Sequence, residues 1–124
     1  MLTQLLEIKK KRESRLRIQL AQEERRLKEI QEKMQNRVAQ RDLLQQKWRQ
    51  IGLLSRGQLT RRAFEELQRS LAMCHQQDGR YAADCIELQE QLQGIRITLE
   101  QLREQIRLTT IKQEKLSYLV EHHA

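Results

Sequence analysis

The chain has 124 residues, no proline, four glycines, 3% aromatic and 33% charged residues, and a formal net charge of +7. Gln, Glu, Arg, Lys and Leu fill most of the remainder, a helix-forming composition that argues against strands. Residues 1–50 carry fourteen Lys and Arg against seven Asp and Glu, whereas the remaining 74 residues balance ten against ten, so the basic character belongs to the first part of the chain.

No stretch approaches the ~18 to 20 apolar residues of a membrane span, and no apolar signal-peptide core follows the first charges, which points to a cytoplasmic protein. The first element is a helix over about residues 2–52. Its seam places Leu6, Glu13, Leu20, Leu27, Met34, Arg41 and Trp48 at a and Leu2, Lys9, Leu16, Glu23, Ile30, Arg37, Leu44 and Ile51 at d. Charge peaks at Lys9, Lys10, Lys11, Arg12, Arg15 and Arg17. Such a face attracts nucleic acid, anionic lipid or an acidic protein surface; its plainer reading is a solvated helix face.

A break follows at Gly52-Leu53-Leu54-Ser55-Arg56-Gly57-Gln58. Gly52 suits a helix C′ position, and Ser55 or Thr60 an N-cap, so residues 53–58 are expected to form the turn.

The second helix is expected over about residues 59–121, carrying nine consecutive heptads in one phase. Phe64, Leu71, Asp78, Cys85, Leu92, Leu99, Ile106, Gln113 and Val120 take a; Leu67, Cys74, Tyr81, Leu88, Ile95, Leu102, Thr109 and Leu116 take d. Asp78-Gly79 is a turn dipeptide, but the phase holds from Leu71 to Cys85, which favours a continuous helix. Neither amphipathic helix can bury its seam alone, and a short connection folds them back on each other. The expectation is a single all-α domain, a long antiparallel two-helix coiled-coil hairpin whose second helix is the longer. A turn centred near residue 55 puts Leu2 opposite Thr109 and Arg37 opposite Cys74, leaving the last ~15 residues as an overhang of roughly 20 Å. Arg37, Arg41 and Asp78 would then form a polar layer that fixes register.

An apolar stripe two positions wide in every seven leaves no surface to wall a pocket, so the chain is expected to act by touching partners. Cys74 and Cys85, about 16 Å apart along one helix, are too distant to bridge and read as core fillers. His75 lacks a companion at metal-ligand spacing, and His122 and His123 stand alone. No phosphate-cradling glycine loop or nucleophile motif occurs, and the carboxylate pairs Glu23-Glu24 and Glu65-Glu66 sit beside Arg or Lys on helix surfaces. No enzymatic activity, cofactor, metal or small-molecule substrate is expected. Nucleic-acid binding through the basic helix ranks second. Glu7, Glu13, Glu23, Glu24, Glu29 and Glu32 interrupt the stripe, and Trp48, Phe64, Tyr81 and Tyr118 lie on the seam or overhang rather than on a stacking platform. A generic dimerisation scaffold ranks third; Ile86, Ile97, Leu108 and Ile111 lie off the main stripe and would serve it.

The Leu-Leu start, the basic first helix, the Gly-bounded turn Gly52–Gln58, the run Leu59-Thr-Arg-Arg-Ala-Phe-Glu-Glu-Leu67 and the long regular second helix together resemble one family. These are the stalk proteins of type III secretion systems, the SctO/YscO group, and their flagellar counterpart FliJ. The resemblance covers essentially the whole chain. It implies an antiparallel hairpin, similar to the central stalk of rotary ATP synthases, that couples a hexameric secretion ATPase to the cytoplasmic domain of the export gate. Some members also bind export chaperones. Carried onto this sequence, it implies that the half with both termini faces the ATPase, through Lys9, Lys10, Lys11, Arg12, Arg15 and Arg17 and the overhang residues Leu116, Leu119 and Val120. The turn half faces the gate, through Leu44, Trp48, Leu53, Leu54, Phe64, Leu67 and Leu71. Trp48 and Phe64, the single Trp and single Phe, stand out because large rings rarely fit a two-helix seam completely.

Overall fold

A computed structural model describes residues 1–54, 57 and 60–123, leaving aside the side chains of Leu54 and His123. It contains two helices, α1 over Leu2–Leu54 and α2 over Arg61–His123, of 53 and 63 residues. They pack against each other as an all-α antiparallel hairpin, with no strand among the described residues.

At the turn α1 runs past its expected end, whereas α2 begins where one of the two candidate caps puts it. Gly52 does not terminate α1: no glycine among the described residues has a positive φ, and the helix continues to Leu54. A C′ glycine stops a helix only when it adopts the left-handed conformation, and here Gly52 stays right-handed. At the other side Thr60 is the cap. Its Oγ1 accepts the Ala63 N–H at 3.1 Å, satisfying one of the orphan donors at the start of α2, and its carbonyl accepts the Phe64 N–H at 2.9 Å, closing the first i→i−4 bond of the helix. Ser55, the other candidate cap, lies outside the described residues.

The heptad phase translates into burial. Every seam position assigned to α2 is at least half-buried except Phe64, and every one assigned to α1 except Trp48. Residue contacts sort into two units, Met1–Glu29 with Leu92–Ala124, and Ile30–Gln91. The first unit has the denser core: Leu16, Leu102 and Ile106 cluster with Leu20 against them, and Leu92, Ile95 and Leu99 are 3 to 4% exposed. In the second unit only Ile30 and Cys74 are buried among the described residues, at 6 and 5% exposed. Cys85 is half-buried, and both cysteines are free thiols.

Register departs from the expectation. In the first unit the Gln113 amide donates to the Lys9 carbonyl at 3.1 Å and to the Glu13 carboxylate at 2.6 Å, and Glu24 meets Arg103 at 3.8 Å. Leu2 therefore comes level with the α2 turn of Tyr118 to Val120 rather than with Thr109. The expected overhang of α2 shrinks to little beyond its last turn, and Leu116 and Val120 are half-buried as seam residues. Two causes act in the same direction. The turn lies further along the chain than residue 55, and side chains lean toward their own helix N-terminus, so antiparallel partners meet later in sequence than their backbone levels suggest.

Asp78-Gly79 and Gly94 lie within unbroken helix. A Cβ built on Gly79 or Gly94 meets nothing within 4 Å. Gly79→Ala and Gly94→Ala are each expected to stabilise the chain by about 0.5–1 kcal/mol, because alanine loses less backbone entropy in a helix. Urea unfolding followed by circular dichroism checks this; a loss of stability in either variant would show that the site is not open.

Candidate functional site

Arg41 and Asp78 form the polar contact expected in the second unit. Arg41 Nε and Nη2 donate to the two carboxylate oxygens of Asp78 at 2.9 and 3.4 Å. Arg37 does not join them. It pairs with Asp84 at 3.2 Å, donates to Gln40 at 2.9 Å and lies 5.5 Å from the centroid of the Tyr81 ring. The register shift explains this, since it moves Arg37 away from Cys74 and toward the Tyr81–Asp84 turn. The pair is part-buried in the seam, where it contributes orientation more than net stability.

The bonds from Arg41 hold the Asp78 carboxyl below its ordinary range, and they raise the Arg41 guanidinium in turn. In the first unit, hydrogen bonds from Arg17, at 2.9 and 2.7 Å, and from Gln113 lower Glu13 likewise. A carboxylate whose folded pKa is depressed contributes stability that is complete above its unfolded pKa and disappears as pH falls through the folded one. The thermal midpoint is therefore expected to fall as pH drops below about 4, the ordinary carboxylate range. Asp78→Asn with Glu13→Gln should flatten that dependence in pH-stepped melts; an unchanged acid slope would mean neither group is linked to folding.

On the turn half, the expected surface residues separate into two groups. Leu44, Leu67 and Leu71 are half-buried in the seam. Trp48, Leu53 and Phe64 are 42, 59 and 49% exposed. Trp48 and Phe64 thus occupy seam phase without seam burial. A two-helix seam offers no third element to cover a large ring, and Ala63, the residue before Phe64, is half-buried while the Phe64 ring is not. The Trp48 ring meets His75 edge-on, 6.2 Å between centroids at 67°, and Gln45, Trp48, Arg49, Gly52 and Leu71 line an open groove. Leu43, 64% exposed on the next turn, adds apolar surface that the heptad pattern does not mark. The side chain of Leu54 lies outside the described residues.

On the terminal half, Lys10, Lys11, Arg12, Arg15 and Arg17 are exposed, and Lys9 is half-buried in the seam. Leu119 and Tyr118 are exposed beside the half-buried Leu116 and Val120, and the Tyr118 and His122 rings lie 4.1 Å apart between centroids, tilted at 52°. Ile86, Ile97 and Leu108 are exposed, whereas Ile111 is half-buried.

Among the described residues no group of three His, Cys, Asp or Glu is placed to hold a metal ion, and no helix is long and apolar enough to cross a membrane. No family model matches the chain, and neither a curated protein nor a solved structure matches it.

Proposed function

We propose that this chain is a non-enzymatic stalk and adaptor of a type III protein secretion system, coupling the hexameric secretion ATPase to the cytoplasmic domain of the export gate at the cytoplasmic face of the apparatus. The observation that carries this reading is the exposure of Trp48 and Phe64, at 42 and 49%, at the turn half of an antiparallel two-helix hairpin. Two rings held in place by helices and left uncovered have the chemistry of an interface hot spot. The sequence resemblance implies a gate-facing surface at the same half. Lys10, Lys11, Arg12, Arg15 and Arg17, on the half with both termini, are the surface offered to the ATPase. Export chaperones are a further class of partner, for which exposed Ile86, Ile97 and Leu108 offer apolar contact.

A pull-down with the cognate ATPase and gate fragments tests the proposal, run at salt high enough to abolish phosphate binding. Retention of both partners is expected. Loss of both, with RNA retained at physiological salt, would replace the stalk by a basic nucleic-acid-binding arm.

A further inference from the structure

The outward face of α1 between Ile8 and Arg26 is a stripe of cations and aliphatic side chains that holds no carboxylate of its own and is bounded by the exposed Glu7 and Glu29 at its two ends. Ile8, Lys11, Arg12, Arg15, Ile18, Gln22, Arg25 and Arg26 recur at helical spacing and are all exposed, Ile8 and Ile18 at 59% each. The three glutamates within this span are turned toward α2. Glu13 accepts bonds from Arg17 and Gln113, Glu23 is half-buried in the seam, and Glu24 pairs with Arg103. Among the described residues no ion pair engages Lys11, Arg12, Arg15, Arg25 or Arg26. A shallow depression lined by Ile8, Lys11, Arg12 and Arg15 brings an aliphatic side chain and three cations together.

We infer that this stripe binds an anionic phospholipid surface, with α1 lying in the interfacial plane. Charge complementarity sets the class of partner: five cations on one face, none held in an ion pair and outnumbering the flanking Glu7 and Glu29, attract a polyanionic surface. The aliphatic side chains narrow it. Phosphodiester backbones offer nothing to Ile8 and Ile18, and the face carries no aromatic ring on which a base would stack. A bilayer interface accepts both kinds of side chain at once, headgroups pairing with Lys and Arg while isoleucine enters the acyl boundary. The other face of α1 is held by α2, so the stripe is presented as preformed helix without a folding cost on binding. This contact lies along the membrane and requires no spanning segment. It goes beyond the secretion reading and stands whether or not an ATPase binds the same half.

Co-sedimentation of the full chain with vesicles tests it. Binding to mixed phosphatidylserine–phosphatidylcholine vesicles is expected, with none to phosphatidylcholine alone, and a steep decline as salt is raised. Each neutralised cation should weaken partitioning about fivefold, so Lys11→Gln with Arg12→Gln and Arg15→Gln together should weaken it roughly a hundredfold. Ile8→Ser with Ile18→Ser should weaken it roughly tenfold while leaving the salt dependence unchanged, which separates the aliphatic contribution from the charge. All five positions are exposed, and unchanged circular dichroism confirms that folding is intact. Equal binding to both vesicle types, wild-type partitioning by the Gln variant, or tighter binding of a single-stranded RNA than of the anionic vesicles at the same salt would overturn the inference.

Discussion

Leu99→Ala is expected to cost about 3 kcal/mol, lowering the thermal midpoint by roughly 10 °C. Leu99 is 3% exposed, the most buried hydrophobic side chain in the core, with Leu92 and Ile95 at 4% earlier on the same α2 face. A large-to-small change there loses the transfer free energy of the removed carbons and leaves a cavity that two packed helices cannot fully close. Ile86, on the same helix but 64% exposed, supplies the internal comparison; Ile86→Ala should stay within about 0.5 kcal/mol. Thermal and urea unfolding monitored by circular dichroism measure both. A Leu99→Ala cost below about 1 kcal/mol would mean the seam is looser than its burial indicates.

In the proposed stalk, Trp48→Ala combined with Phe64→Ala is expected to weaken binding to the export gate by at least about thirtyfold, the scale of losing an aromatic hot spot worth some 2 kcal/mol. Stability should change far less, because 42 and 49% of the two residues is already in solvent and their removal opens no enclosed cavity. Calorimetric titration of the gate's cytoplasmic domain against wild type and variant, alongside helicity, distinguishes the two roles. Unchanged affinity would remove these rings from the interface; collapse of helicity would return them to the core.

The heptad pattern made most of the fold legible, and its phase predicted which residues are shielded. It misled where residue type opposed phase: Phe64 and Trp48 fit the repeat, but their rings exceed what a seam of two helices encloses. Register was not legible. It depends on where the turn lies, and Gly52 is a glycine that suits a stop and yet remains helical to Leu54, a choice composition does not decide. That displacement, together with the lean of the side chains, is why Arg41 finds Asp78 while Arg37 goes to Asp84, and why the apolar overhang is largely consumed. Leu116 and Val120 thereby lose the feature that singled them out, whereas Leu119 and Tyr118 keep their exposure. The carboxylate-free stripe on α1 was hidden because counting charges along the sequence places Glu13, Glu23 and Glu24 among the cations. Only the fold shows them facing α2.

In the proposed stalk, one chain holds two different partners by its two halves. Sedimentation velocity on a mixture of the chain, the cognate secretion ATPase and the cytoplasmic gate domain tests this directly. A ternary complex is expected that loses the gate with Trp48→Ala and Phe64→Ala but keeps the ATPase; mutual exclusion of the two partners, or failure of the chain to bring them together at all, would rule out a stalk.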